Sequence, residues 1–164
     1  MTADASVSGI RELDEKGSIV VLSNEPDAPY DRPPLTKGLW KDASYDDIWR
    51  GTESRSAEVL TDTNVVSLDP GKKQVTDDKG EQYIADKILL ATGAKPVRLS
   101  SGDGAVIYYR TAGDYRQLRE LSKEKESFFV IGGGFIGAEI AAALRMNDCK
   151  VTMAFPESGV NGRM

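Results

Sequence analysis

Three glycines in the second half of the chain have the spacing of a phosphate-binding turn. In the stretch FFVIGGGFIGAEIAAAL, an apolar strand-like run at 128–131 is followed by Gly132-x-Gly134-x-x-Gly137 and then by an alanine-rich helical pattern. In such a turn the first glycine permits the tight bend, the second lets a pyrophosphate approach the backbone, and the third lets helix and strand pack closely. The N-terminus of the following helix attracts phosphate through its N–H groups and its dipole. The motif predicts a dinucleotide site whose contacts include Ile136; the alternative is a glycine-rich turn in another kind of α/β unit.

An acidic residue follows at the distance that a dinucleotide site requires. Glu157 lies 20 residues after Gly137, beyond a second apolar segment at 150–155 that predicts a strand. A carboxylate about 20 residues after the glycines binds ribose hydroxyls in such sites. Because this carboxylate would repel the 2′-phosphate of NADP, it favours NAD, although Arg163 could bind that phosphate if the loop curls back.

The first half of the chain must position any partner groups, and its pattern begins with helix and strand. Val7, Ile10 and Leu13 at three-residue spacing, followed by Gly17, predict an amphipathic helix, and residues 18–22 predict a strand. Next comes a loop at 24–34 that contains four prolines. After it we expect a short helix at 35–40 and a polar helix at 45–50.

The middle of the chain alternates short strand patterns with turns. The segments AEVL, NVVSL, KQVTD and EQYIA, separated by Asp/Asn/Gly turns, predict an antiparallel meander. KILLATGAKP then predicts a buried strand that ends at Thr92 and Gly93. The Ser/Gly-rich stretch 100–104 predicts a linker, so we expect one domain at 1–104 and another at 105–164.

Composition excludes several kinds of chemistry. The 164 residues carry a formal net charge of −5, with one cysteine, Cys149, and no histidine. Disulfide scaffolds, Cys-x-x-Cys redox pairs, zinc clusters and Ser-His catalysis are therefore excluded within this chain, and redox chemistry would need a bound cofactor.

The sequence contains no dense cluster of Lys and Arg residues, so we expect neither nucleic acid nor an anionic membrane as a partner. No apolar run is long enough to span a bilayer and no signal peptide is evident, so we expect the cytoplasm.

Three stretches together resemble a known family. PYDRPPLTKGLW, ILLATGAKP and VIGGGFIGAE are similar to the FAD-dependent pyridine nucleotide-disulfide oxidoreductases, in the branch of apoptosis-inducing factor and ferredoxin reductases, and also resemble monodehydroascorbate reductase. The resemblance implies an α/β fold with two Rossmann-like domains, one for FAD and one for NAD(P)H. It implies hydride transfer from nicotinamide to flavin, with electrons passing on to a carrier protein or a small acceptor. Residues 1–104 would be part of the FAD domain, and 105–164 the first part of the NAD(P) domain.

The resemblance also implies roles near the flavin. Arg32 would lie toward the FAD phosphates and Lys37 toward the isoalloxazine ring, with Glu139 paired to Lys37. Phe135 would lie beside the flavin, where the nicotinamide stacks. Considered without the family, Lys37 and Glu139 could be unrelated surface charges, and Phe135 an apolar residue that caps the sheet.

Further positions match FAD contacts of the family in the first half. The backbone of Val66 would touch adenine, and Thr92 with Gly93 would form the strand-end turn next to FAD. The strand at 18–22 should end in an acid that binds the ribose, but Asn24 stands at that place with Glu25 beside it. Asparagine can donate and accept hydrogen bonds, so we expect ribose binding with lower affinity.

The N-terminus departs from the family pattern. Members begin their FAD domain with a strand and its own glycine motif, whereas residues 1–5 match the helix that follows them. We therefore expect a fragment that also lacks the C-terminal half, with open strand edges that a homodimer or a complementing chain would cover. The expected function is that of an FAD-dependent NAD(P)H oxidoreductase in truncated form; the alternative is a non-catalytic nucleotide-binding or interaction fragment.

Overall fold

The computed structural model describes residues 1–100, 106–156 and 158–162. Its contacts divide the chain into two compact units: Met1–Asp31 with Trp49–Gly93, and Arg32–Ile48 with Ala94–Met164. The proline-rich segment around Lys37 therefore belongs with the unit that carries the glycine turn. Most of the predicted linker at 100–104 lies outside the described residues.

The first unit begins with the predicted helix and strand, but the predicted apolar helix face is wrong beyond Val7, because Ile10 is exposed and Leu13 lies past the end of the helix. Helix α1 spans Thr2–Arg11 and strand β1 spans Val20–Leu22. Val7, from the apolar face of α1, is buried. Strand β1 pairs in parallel with β2, Glu58–Leu60. A parallel pair needs a long crossover connection, and residues 23–57 supply one.

A three-stranded antiparallel meander follows. It consists of β3 (Val65–Asp69), β4 (Gln74–Asp77) and β5 (Gln82–Ile84), in the order β3-β4-β5. The predicted meander is confirmed for these strands. It was wrong for AEVL, because that segment forms β2 and pairs with β1 in a separate sheet.

The expectation of a buried strand in KILLATGAKP was wrong. Residues 87–96 form no regular structure, and the side chains of Leu89 and Leu90 are 62% and 64% exposed. A strand is stable only when a neighbour satisfies its backbone N–H and C=O groups. Within the described part of the chain, no strand pairs with this segment. Apolar composition alone does not produce a strand without a partner.

A buried carboxylate ties α1 to the rest of the first unit. Asp4, in the first turn of α1, has no exposed surface and accepts hydrogen bonds from Arg50 Nε at 2.7 Å, Arg55 Nη1 at 2.8 Å and Thr52 Oγ1 at 2.8 Å. Arg50 also pairs with Asp31 at 2.9 Å. A buried charge is tolerated only when it is paired and hydrogen-bonded, and Asp4 meets both conditions. The cluster therefore fixes the N-terminal helix on the segment at 50–55.

The second unit contains the proline-rich segment as short 3₁₀ helices. They span Pro33–Thr36, Gly38–Trp40 and Tyr45–Ile48. The predicted helix at 35–40 is interrupted at Lys37, whose backbone lies outside the helical region with φ −127° and ψ −97°. The polar helix at 45–50 is shorter than predicted. Leu35, Leu39 and Trp40 nevertheless provide a buried apolar side to the segment.

A helix that we did not predict packs on this segment. Helix α2 spans Ala112–Glu124 and begins with a capping box, in which Thr111 and Asp114 bond to each other's backbone N–H. The Tyr115 hydroxyl donates to the Leu39 carbonyl at 3.1 Å, and its ring stacks on Tyr45. The Thr-x-x-Asp pattern ahead of an apolar periodicity was the available signal.

The predicted strand, helix and strand around the glycine motif are confirmed. Strand β6 spans Ser127–Ile131, helix α3 spans Phe135–Met146 and strand β7 spans Lys150–Ala154. The two strands pair in parallel over five residue pairs, from Ser127 with Lys150 to Ile131 with Ala154. Ile140 and Leu144 are buried on one side of α3. None of the described helices is long and apolar enough to cross a membrane.

Candidate functional site

The glycine turn between β6 and α3 has an open backbone. Gly132 adopts φ +116°, a conformation that L side chains rarely adopt. Gly134 is the N-cap of α3, and a Cβ built on it would meet no atom within 4 Å. The first N–H groups of a helix have no partner within the helix. The turn therefore places open backbone next to N–H groups that have no partner within the helix, which suits the oxygens of a pyrophosphate.

Gly137 is required by packing. A Cβ on Gly137 would lie 2.1 Å from the carbonyl oxygen of Gly132. Because that oxygen belongs to the backbone of the turn, no side-chain rotation could relieve the overlap. The absence of a side chain at Gly137 lets the first turn of α3 rest directly on the strand end.

Two apolar side chains project from the start of α3. Phe135 is 62% exposed and Ile136 is 44% exposed. Large apolar side chains with this exposure are not held by the core. Phe135 is therefore not a buried cap of the sheet.

The loop after β7 closes against the turn. Asn161 donates its backbone N–H to the Gly133 carbonyl at 2.6 Å, and a Cβ on Gly133 would lie 2.8 Å from Cγ of Phe155. The side-chain oxygen Oδ1 of Asn161 is buried and has no hydrogen-bond partner within the described residues. Glu157 and Arg163 lie outside the described residues.

Lys37 and Glu139 form an ion pair. Lys37 Nζ lies 2.8 Å from Glu139 Oε2, with 57% and 29% of the two side chains exposed. Thr36 donates its hydroxyl to the same oxygen at 2.5 Å. The hydrogen bonds from Lys37 and then Thr36 lower the pKa of Glu139, against the opposing effect of burial. The sequence prediction did not include Thr36; its place beside Lys37 in PPLTK was the available signal.

Arg32 lies in the same unit as this pair. Its Nη1 donates to the carbonyl oxygen of Arg110 at 2.9 Å. This bond fixes the start of the 3₁₀ helix Pro33–Thr36 to the irregular segment before α2. Arg32, Lys37, Glu139 and the glycine turn are thus all held by one compact unit.

The other predicted residues belong to the first unit. Asn24 is exposed just after β1, and Glu25 accepts a hydrogen bond from the Tyr30 hydroxyl at 2.5 Å. Both follow the carboxyl end of a parallel strand, where α/β proteins bind ligands. The carboxylate of Glu25 is therefore already hydrogen-bonded, while the Asn24 side chain faces solvent.

Val66 and Gly93 lie where the backbone departs from regular structure. Val66 lies at a bulge in β3, where the pairing with β4 skips from Val65 to Ser67. The extra residue of a bulge is left out of the regular ladder of backbone hydrogen bonds. Gly93 has φ +66° and follows the exposed Thr92.

Comparison with known proteins gives consistent matches. The sequence model described as pyridine nucleotide-disulphide oxidoreductase matches residues 4–158. Apoptosis-inducing factor 1, mitochondrial, of Dictyostelium discoideum is 34% identical over 94% of this chain, and rubredoxin-NAD(+) reductase of Pseudomonas putida is 38% identical over 82%. Among solved structures, putidaredoxin reductase in its covalent complex with putidaredoxin matches 99% of the chain with a TM-score of 0.87 and 27% identity.

The chain is much shorter than these relatives. It spans 34% of the Dictyostelium protein, 37% of the Pseudomonas reductase and 42% of the putidaredoxin reductase chain.

Proposed function

Because the chain belongs to the pyridine nucleotide-disulphide oxidoreductase family, we propose that it acts in hydride transfer from a pyridine nucleotide to FAD. The observation that carries the proposal is the Lys37–Glu139 pair. Glu139 lies in the N-terminal half of α3, the helix that leaves the glycine turn, and Lys37 lies at the end of the 3₁₀ helix Pro33–Thr36. A cation and a carboxylate held at the start of a nucleotide-binding helix can orient an anionic cofactor and its partner.

The residues of the second unit fit a dinucleotide. Gly132 and Gly134 leave room for a pyrophosphate at the backbone, and Gly137 lets α3 pack closely on the turn. The N–H groups at the N-terminus of α3, around Ile136, would bind the phosphates. The buried Oδ1 of Asn161, beside the turn, lacks a donor within the described residues, and a ligand hydroxyl can supply one. Phe135 is exposed for stacking on an aromatic ring.

We propose the residues that bind FAD from the family resemblance and from the position of each residue in the structure. Arg32 and Lys37 would bind FAD through charge, and Asn24, Glu25, Val66, Thr92 and Gly93 would bind its adenosine half. FAD supplies the acceptor of the hydride; the chain's residues bind it, orient it and hold charge near it. We propose that residues 1–104 form the FAD-binding part and residues 105–164 the NAD(P)-binding part.

We propose NAD in preference to NADP. The support is the carboxylate of Glu157, at the sequence distance from Gly137 that suits ribose hydroxyls. A carboxylate there repels the 2′-phosphate of NADP.

We propose a redox carrier protein or a small oxidant as the electron acceptor, and the cytoplasm as the compartment. Two relatives are named for rubredoxin and putidaredoxin, which supports a protein acceptor. The net charge of −5 supports neither nucleic acid nor an anionic membrane as a partner.

The test is the visible spectrum of the purified 164-residue chain after incubation with FAD and removal of free flavin. We expect a bound flavin spectrum that NADH bleaches at lower concentration than NADPH does. Size-exclusion chromatography of the same sample shows whether a homodimer forms. A colourless chain that still binds NADH would instead support the second candidate, a nucleotide-binding module without turnover, which the intact glycine turn favours.

Replacing Lys37 with methionine should slow flavin reduction. The change keeps most of the side-chain volume but removes the cation, and the loss of one preorganised donor at a reacting group costs roughly 100- to 1,000-fold in rate. Stopped-flow reduction by NADH measures the effect. Lys41→Met, an exposed lysine of the same segment, is the matched control and should reduce at the wild-type rate. Equal rates for both variants would remove Lys37 from the site.

A further inference from the structure

The hydroxyl of Thr36 has two acceptors and one proton. Thr36 Oγ1 lies 2.5 Å from Glu139 Oε2 and 3.3 Å from the carbonyl oxygen of Pro33. A threonine hydroxyl donates one hydrogen bond and accepts others. It can therefore donate to the carboxylate or to the carbonyl, but not fully to both.

With Glu139 ionised, the hydroxyl must donate to the carboxylate. An ionised carboxylate only accepts hydrogen bonds, and O–H···O⁻ bonds are typically about 2.5–2.7 Å long. The 2.5 Å contact to Glu139 fits this class, whereas the 3.3 Å contact to Pro33 is longer than a strong hydrogen bond. Lys37 Nζ donates to the same oxygen, Oε2, at 2.8 Å. Oε2 therefore receives both donors.

We infer that Thr36 is a positioning residue that holds Glu139 ionised and directed at Lys37, and that accepts a hydrogen bond from the Glu139 carboxyl when Glu139 takes up a proton. The role in catalysis rests on the proposed hydride-transfer function, since Thr36 acts through Glu139.

Thr36 can rearrange its hydrogen bonds when Glu139 takes up a proton from solvent. A proton from solvent forms an O–H bond on the Glu139 carboxyl, which then donates to a lone pair of Thr36 Oγ1. The Thr36 hydrogen turns to the Pro33 carbonyl oxygen. Lys37 keeps its three protons and loses its anionic partner. No electron moves in this step.

Few charged side chains lie on the elements that pack against helix α3 around Glu139. Helix α3 packs against the 3₁₀ helix Pro33–Thr36 and against β6 and β7. The 3₁₀ helix contributes Lys37 at its end, and β6 carries no titratable side chain. In β7 the charged residue is Lys150, which pairs with Glu126 at 3.9 Å, and Arg145 of α3 donates to the Cys149 carbonyl. Lys37 and Thr36 are therefore the groups that set the titration of Glu139 among the described residues.

The experiment is a pH titration of the Glu139 side-chain carboxyl by ¹³C NMR, on the full 164-residue chain without cofactor. Glu139→Gln identifies the resonance, because it removes that signal. Thr36→Val keeps the branched shape without the hydroxyl, and Thr36→Ser keeps the hydroxyl without the methyl group. We expect Thr36→Val to move the titration to higher pH and Thr36→Ser to restore the wild-type midpoint.

An unchanged midpoint in Thr36→Val would overturn the inference, and so would an equal shift in Thr36→Ser. A merely structural role would change the thermal midpoint of unfolding in Thr36→Val but leave the titration of Glu139 in place. In flavin-loaded protein, the pH profile of NADH-dependent reduction should shift in the same direction as the titration. If the wild-type chain takes up no flavin, the proposed function fails, while the titration still decides the role of Thr36.

Discussion

Gly137→Ala should destabilise the second unit and abolish dinucleotide binding together. The new methyl carbon would lie 2.1 Å from the Gly132 carbonyl oxygen, so the first turn of α3 must move away from the strand. Forced overpacking typically costs about 1–3 kcal/mol, and we expect about 3 kcal/mol because the obstacle is backbone. Urea unfolding measures the loss of stability, and calorimetric titration with NAD⁺ measures the loss of binding.

Gly134→Ala is the matched control, because it separates packing from ligand approach. Its Cβ would meet no atom within 4 Å, and its backbone is extended, with φ −78° and ψ −176°. Stability should therefore stay within about 0.5 kcal/mol of wild type, while the methyl group obstructs a pyrophosphate at the turn. Wild-type stability in Gly137→Ala would contradict the close packing of α3 on the turn, and unchanged NAD⁺ affinity in Gly134→Ala would contradict the role of the turn.

Asp4→Asn should also lower the free energy of unfolding by about 3 kcal/mol. The asparagine keeps the shape of the side chain, but it removes the charge that faces Arg50 and Arg55 in a fully buried position. Breaking a buried pair from one side typically costs about 3–5 kcal/mol. We expect the low end because both arginine side chains are about one third exposed, at 33% and 32%, and can turn toward water. Urea unfolding at pH 7 measures the difference.

The difference in stability between wild type and Asp4→Asn should depend on pH. Burial raises the pKa of Asp4, but hydrogen bonds from Thr52 and Arg50 and the charges of Arg50 and Arg55 together lower it below its usual value. Because the pKa of Asp4 is lower in the folded state than in the unfolded state, the ionised carboxylate stabilises the folded protein. This stabilisation is complete above the unfolded pKa of about 3.9 and is lost as the pH falls through the folded pKa. The gap between wild type and Asp4→Asn should therefore be full at pH 7 and close below about pH 4.

Asp31→Asn is the control for this cluster. It removes the partially exposed Arg50–Asp31 pair, with side chains 33% and 36% exposed, and such pairs contribute about 0–1 kcal/mol. If Asp31→Asn lowered the free energy of unfolding as much as Asp4→Asn does, burial would not be the reason for the large contribution of Asp4.

The sequence predicted those parts of the structure that local chemistry determines. The strand, turn and helix around Gly132 could be predicted because glycine spacing and apolar periodicity act over a few residues. Helix α2, which we did not predict, also has a local signal in its sequence, the capping box of Thr111 and Asp114.

Parts that depend on distant partners could not be predicted. AEVL and KILLATGAKP both contain a short apolar run, yet one forms β2 against β1 and the other stays irregular. The difference is the presence of a pairing strand, which composition does not encode. Likewise the three donors to Asp4 come from 46 to 51 positions away. The Lys37–Glu139 pair was expected from the family resemblance alone, since nothing in the local pattern of either residue indicates the other.

The 102 positions between Lys37 and Glu139 also bear on how the chain is made. During synthesis the segment Arg32–Ile48 leaves the ribosome well before α2 and α3 exist. At about 5–20 residues per second, it would wait roughly 5–20 s for its packing partners. Over that interval Leu35, Leu39 and Trp40 lack the residues that bury them. The segment that completes the second unit is therefore translated early and folds late, and for that interval a nascent chain would expose it to chaperones.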